Sequence, residues 1–220
     1  MPKFSGLFDS FDNLDQLNLE DVAFWLKRPP QMTQLENYIA NRILYPQTLP
    51  LSAADMEIEL AILREVIKQT FSQMDKNSNL LGENPFLNPT LRKILIPRRF
   101  LKYVPDLVKL TWAFVDIIPV KDKKEDPFTD LWIIVLTDDT DEVIGSLLLP
   151  QFSNSSAQLE LNILGKAYKV VAGSLVVLPC PKERCQISYK FNQGKILGKA
   201  ENSLEIFGGK LGIMIDGRKK

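Results

Sequence analysis

No histidine occurs anywhere in this chain of 220 residues. That absence removes the commonest general base, the usual partner of a nucleophilic serine or cysteine, and the commonest metal ligand. Cysteine is nearly as scarce, with only Cys180 and Cys185 present. A structural zinc site needs four ligands, normally Cys or His, so one chain cannot close such a site, although two copies could donate four thiolates. Excess charge is missing too. Lys and Arg total 27, and so do Asp and Glu, which leaves no global field to argue for nucleic acid, a membrane or an acidic ligand. No uncharged apolar run approaches the roughly 20 residues that span a bilayer. Residues 1–10 lack the basic start, long apolar stretch and small-residue cleavage site of a secretory signal. The phosphate-cradling Gly-x-x-x-x-Gly-Lys-Ser/Thr and the nucleophile-elbow Gly-x-Ser-x-Gly are both absent. The expectation is a cytoplasmic chain with reduced cysteines and no cofactor or metal.

The chain is long enough for one large or two small domains with a sizeable core. Its first part reads as helical. Phe4, Leu7, Phe8, Phe11, Leu14 and Leu17 recur at spacings of three and four, with Asp9, Asp12 and Asp15 between them, which predicts an amphipathic helix with an acidic polar face. That face either packs internally or docks on a partner groove. Asn18 is placed to cap a helix from about Leu19 to Lys27, stopped by Pro29-Pro30. Thr33 with Glu36, and Ser52 with Asp55, have capping-box spacing and predict helices to about Leu44 and about Met74. In the longer helix Leu60, Leu63, Ile67, Phe71 and Met74 form a stripe. Over residues 1–80 there are eleven acidic against seven basic side chains, a net of −4.

Gly82-Glu-Asn-Pro-Phe-Leu-Asn-Pro89 is the best boundary. After it come Arg92, Lys93, Arg98, Arg99 and Lys102 with no acidic residue among them, interleaved with Phe100 and Tyr103. Such a run can grip phosphates and stack bases, rest on an anionic membrane, or pair with an acidic protein surface. The last reading ranks first, because one short basic run in a neutral chain is weak evidence for nucleic acid.

From residue 111 onward, short β-branched and aromatic runs alternate with turn residues, predicting strands over 111–118, 131–136, 143–149, 157–163, 166–171, 175–178, 186–191, 203–207 and 211–215. Leu131-Trp-Ile-Ile-Val-Leu136 is apolar on both faces and should be central. Gly208-Gly209 predicts a two-residue hairpin turn. Asp138-Asp-Thr-Asp-Glu142 reads as a solvated turn between strands, without the glycine and closing glutamate of a calcium loop. Cys180-Pro-Lys-Glu-Arg-Cys185 reads as two reduced thiols at a hairpin turn. Lys182 and Arg184 would lower their pKa values if they paired by redox chemistry.

The run Gly173-Ser-Leu-Val-Val-Leu-Pro179, together with Phe207-Gly-Gly-Lys-Leu-Gly-Ile-Met-Ile-Asp-Gly-Arg218, resembles the terminal β-segment of glutamate mutase accessory proteins, an actin-like ATPase family. Gly217 stands where the family pattern has Ala, and Lys219 follows the arginine. The resemblance covers about residues 173–218 and implies a shared β-module. It transfers no activity, since none of the family's nucleotide-binding segments is present.

These signals predict an α+β chain: a helical region over 1–80, a linker and basic segment over 81–110, and an antiparallel β-barrel or β-sandwich over 111–220. The expected function is non-catalytic interaction or assembly, docking through Phe4, Leu7, Phe8, Phe11 and Leu14 onto another protein or another copy of the chain. A small β-barrel enzyme or ligand-binding protein is the opposing class. A nucleic-acid or membrane-surface adaptor using residues 92–102 is the third.

Overall fold

The computed structural model describes residues 17–45, 47–78, 92–117, 130–137 and 140–218. It is α+β, with helices first and a β-rich C-terminal part. The chain divides into two units, one helical (described over 17–78 and 99–117) and one of sheets (described over 92–98 and from 130 onward). The backbone therefore passes into the sheet unit, back to the helical unit, and into the sheet unit again. Gly82 to Pro89 lies outside the described residues.

In the helical unit α1 (Leu19–Phe24) begins where Asn18 accepts a hydrogen bond from the Glu20 amide at 3.0 Å, as the sequence predicts. It stops three residues before Lys27, with the Trp25 amide turning back to the Val22 carbonyl. The second helix, α2 (Met32–Leu44), starts one residue before Thr33, and Gln31 occupies the cap position without a side-chain bond. The expected Thr33–Glu36 box is thus corrected: Thr33 is already inside the first turn, behind the two prolines that set the start. The Ser52–Asp55 box does form. Ser52 Oγ accepts from the Asp55 amide at 3.1 Å and Asp55 Oδ2 accepts from the Ser52 amide at 3.0 Å, opening α3 (Ala53–Ser78). Leu60, Leu63 and Ile67 of the expected stripe are buried, and so are Ala61, Ile62 and Val66. The side chains of Phe71 and Met74 lie outside the described residues.

The expected strand at 111–118 is a helix instead, α4 (Leu107–Ile117), and it belongs to the helical unit. Asp106 Oδ1 caps it, accepting from the amides of Val108 and Lys109 at 3.0 and 3.1 Å. Thr111 Oγ1 donates to the Leu107 carbonyl at 2.8 Å, which satisfies a hydroxyl that would otherwise be buried alone. Leu110, Ala113 and Phe114 bury one face at helical spacing. Capping and packing together override the strand preference of Thr111, Val115 and Ile117.

In the sheet unit the strands are β1 (Arg92–Pro97), β2 (Leu131–Thr137), β3 (Glu142–Leu148), β4 (Gln151–Phe152), β5 (Gln158–Ile163), β6 (Lys166–Val171), β7 (Leu175–Leu178), β8 (Arg184–Phe191), β9 (Gly194–Lys195), β10 (Glu201–Phe207) and β11 (Gly212–Asp216). A mixed sheet has the order β1-β2-β3-β11-β7, an antiparallel sheet the order β10-β8-β5-β6, and β4 pairs with β9. The purely antiparallel expectation is corrected in the first sheet, where β1 runs parallel to β2 and β11 parallel to β3. Strand β2 lies between β1 and β3 with its middle five residues buried, as its unbroken apolar run predicts. The predicted Gly208-Gly209 hairpin does not form. All five residues of β11 are buried, so the strand takes an inner place between β3 and β7 rather than an edge beside β10. The two glycines instead carry the chain from one sheet to the other, with Gly209 at φ +131°.

Leu148, Ile213 and Ile215 of the mixed sheet share one apolar cluster with Leu159, Leu161, Ile187, Tyr189 and Ile206 of the antiparallel sheet. Strands β5 and β8 alternate strictly between exposed and buried, which is the pattern of a sheet wet on one face. On that wet face Lys169, Glu160, Lys190 and Glu201 lie opposite one another in a row across all four strands, opposite in sign at each step. The outer pairs approach to 3.4 Å.

Candidate functional site

The partner-binding residues Phe4, Leu7, Phe8, Phe11 and Leu14 lie outside the described residues. The basic residues are described in part. Arg92 is the first residue of β1, and the next, Lys93, is exposed. Arg98 and Arg99 open a 3-10 turn, Arg98–Lys102, but the boundary between the two units falls between them. Arg98 Nη2 donates to Glu142 Oε2 at 2.8 Å, while Arg99 sits 5.7 Å from the Phe100 ring centroid. Lys102 is exposed. A run that is contiguous in sequence is thus divided between a strand, an ion pair and a turn.

Glu142 is the end of the acidic run, whose Asp138 and Asp139 lie outside the described residues. β2 and β3 pair antiparallel on either side of that run, so it is the strand connection the sequence predicts. The carboxylate of Glu142 is held between Lys210 Nζ at 2.7 Å and Arg98 at 2.8 Å. The bond from Lys210 first, and that from Arg98 second, keep its pKa below the usual carboxylate value. A carboxylate engaged by two cations has little left for a metal. Among the described residues no cluster of three or more His, Cys, Asp or Glu could hold a metal ion.

The helical unit holds a buried ionic cluster. Arg42 Nε lies 2.7 Å from Glu59 Oε1, and Tyr38 donates its hydroxyl proton to the same oxygen at 2.8 Å. Arg42 also donates to the Thr48 carbonyl and lies 5.0 Å from the Tyr103 ring centroid. Burial pushes the Glu59 carboxyl up, against the pull of Arg42. It pushes the Tyr38 phenol up as well, helped by the neighbouring Glu59 charge. Further along α3, the buried Glu65 accepts from Trp25 Nε1 at 3.4 Å and from Lys68 at 3.1 Å.

In the sheet unit the buried Asp130 accepts from the Leu197 amide at 2.9 Å and from Gln151 Nε2 at 3.1 Å. Tyr189, raised in pKa by its burial and by Asp130, donates to the Ile196 carbonyl at 2.9 Å. Asp216 binds the Arg218 guanidinium at 2.9 Å through both oxygens. Each of these acids is spent on holding a turn or a neighbouring strand.

The expectation of two reduced thiols at a hairpin is corrected twice. Cys180 and Cys185 are joined through their sulfurs. Cys180 follows β7 in the mixed sheet and Cys185 lies in β8 of the antiparallel sheet, so the segment between them is a crossover rather than a hairpin.

Sequence reasoning missed one surface altogether. Ile43 to Ala54 is an uncharged run that covers the end of α2, the connection and the start of α3, and in it Leu44 is 68% exposed, Tyr45 63%, Leu49 50% and Leu51 92%. The available signal was an apolar, charge-free stretch containing two prolines immediately beyond a helix. No helix among the described residues is long and apolar enough to cross a membrane. No family model, no curated protein and no solved structure matches this chain.

Proposed function

We infer that this chain is a non-catalytic interaction or assembly protein whose N-terminal apolar residues, Phe4, Leu7, Phe8, Phe11 and Leu14, dock on a second copy of the same chain. The observation that carries this reading is the exposed apolar run Leu44, Tyr45, Leu49 and Leu51. Single apolar side chains on a surface are ordinary, whereas several in one short uncharged segment mark a contact site. The two halves of the interface are chemically matched. A helix from Phe4 to Leu14 would lay its apolar face along about 15 Å, and the receiving run offers no charge that docking would strand. A formal net charge of zero leaves no bulk repulsion between copies.

A catalytic reading gains less support, since the buried acids Glu59, Glu65, Asp130 and Asp216 all hold structural partners. The pairing of Arg98 with Glu142 leaves one charge fewer in the basic run for phosphates, which favours a protein partner over nucleic acid or a membrane. The two sheets sharing one core read as a β-sandwich, and residues 173–218 as a β-module of the accessory-protein kind without its ATPase. A cytoplasmic setting fits the reading.

Sedimentation velocity over a concentration series tests it. The native chain is expected to self-associate, and Leu44→Ser with Leu51→Ser to stay monomeric at an unchanged melting temperature, because exposed substitutions usually move stability by no more than about 0.5 kcal/mol. Phe8→Ala with Phe11→Ala should give the same loss. A native chain that stays monomeric throughout, or a Leu44/Leu51 variant that associates normally, refutes the second-copy reading.

A further inference from the structure

The bond between Cys180 and Cys185 connects the two sheets across their crossover. Both residues are buried, and their Cα atoms are 6.8 Å apart. Between them Pro181, Lys182, Glu183 and Arg184 are all exposed. The crossing at Gly208-Gly209 grips this loop through its backbone. The Gly208 amide donates to the Glu183 carbonyl at 3.0 Å and the Gly209 amide to the Cys180 carbonyl at 2.8 Å. A methyl group on Gly208 would run into the carbonyl oxygens of Cys180 and Lys182 and come within 2.7 Å of Cys180 Sγ. Glycine is what lets the crossing lie directly against the sulfur.

We propose that Cys180 and Cys185 form a reversible thiol–disulfide switch that exchanges with small-molecule thiols of the glutathione class. Three features make both states stable. Reduced, the two thiols would sit in the apolar cluster of Leu148, Ile187, Ile206 and Ile213, and a buried cysteine behaves there as a small apolar side chain. The Cys185 sulfur lies 3.8 Å from the Lys182 carbonyl oxygen, an acceptor ready for its S–H in the reduced state. The loop is short, so the bond adds only modestly to stability, and the fold does not depend on it. Exposure of residues 181–184 keeps the cost of a local opening low and gives an external thiolate its approach.

In reduction, an external thiolate attacks one sulfur and releases the other as a thiolate. A second external thiolate then resolves the mixed disulfide. Two external thiols become their disulfide, while two protons and two electrons reside on Cys180 and Cys185; oxidation by the external disulfide reverses each step. The consequence reaches the neighbouring charges. Lys210 directly follows the crossing and holds Glu142, which also holds Arg98. Releasing the loop therefore loosens the grip on the segment that positions this ion-pair cluster.

The full chain is equilibrated in buffers of graded reduced-to-oxidised glutathione ratio, trapped with an alkylating reagent and weighed intact. The expected result is a two-electron titration between a folded form with no added alkyl groups and a folded form with two. The oxidised form should melt higher by roughly 4 to 8 °C, and the difference should vanish in Cys180→Ser with Cys185→Ser. Amide exchange at Gly208 and Gly209 should quicken on reduction. Thiols that alkylate fully at every ratio overturn the proposal. So does a bond that yields only when the protein is unfolded, which would make it a permanent staple.

Discussion

Arg42 and Glu59 show how a single pair can set the stability of the helical unit. Removing two charges from water is costly, and the pair is held only because Tyr38, Thr48 and the Tyr103 ring complete the surroundings. Glu59→Gln leaves a buried guanidinium without its counter-charge and is expected to cost about 3 to 5 kcal/mol. Arg42→Met combined with Glu59→Leu should recover most of that loss, because well-packed apolar replacements of a buried pair are often neutral. Urea denaturation of both variants checks this, and a double variant no more stable than Glu59→Gln would show that the polar network itself organises α2 against α3. Neither residue is recognisable in the sequence as part of a pair. They lie 17 positions apart on different helices, and their meeting depends on how those helices pack.

At the level of elements, Glu142 opens β3 and draws in the residue after β1 and the residue two before β11. Its folded pKa is depressed, so its contribution is complete above the ordinary carboxylate range and is lost as pH falls through the lowered value. The native chain is therefore expected to lose melting temperature on acidification more steeply than Glu142→Gln does. The two curves should converge once Glu142 is protonated, and parallel curves would remove the ion pairs from the account. Helix starts were legible at Asn18 and at Ser52 with Asp55, where a side-chain oxygen reaches the first turn. Asp106 offers the same oxygen to the first turn of α4, but the β-branched residues at 111–118 read as a strand when taken locally. Strand β1 was hidden in the opposite way, because its charges drew attention from Ile94 and Ile96, which are buried.

At the level of the whole molecule, the order of the units along the chain limits how it can be divided. A chain beginning at Asn88 keeps β1 and the remaining strands, but it also keeps α4 after removing α3. Helix α4 would then lose the Arg64–Asp116 ion pair at 2.9 Å and the apolar cover from α3. Such a fragment is expected to aggregate or melt far below the full chain, with exposed Leu110 and Phe114 binding a hydrophobic dye. If it instead stays monomeric with a native sheet signal, the helical unit is dispensable to the fold of the sheets.

Composition and periodicity were enough, by themselves, to establish an α+β chain with helices first, the approximate span of most strands and an inner rather than an edge position for β2. Those are properties of local pattern, and near neighbours in the chain decide them. Only the tertiary structure decided that β11 enters between β3 and β7, that residues 107–117 are a helix, that the basic run is divided, and that two cysteines meet across two sheets. Each of these depends on which distant surface is available for burial. The same Gly208-Gly209 suits a hairpin or a crossing equally well until the fully buried β11 demands a partner on each side.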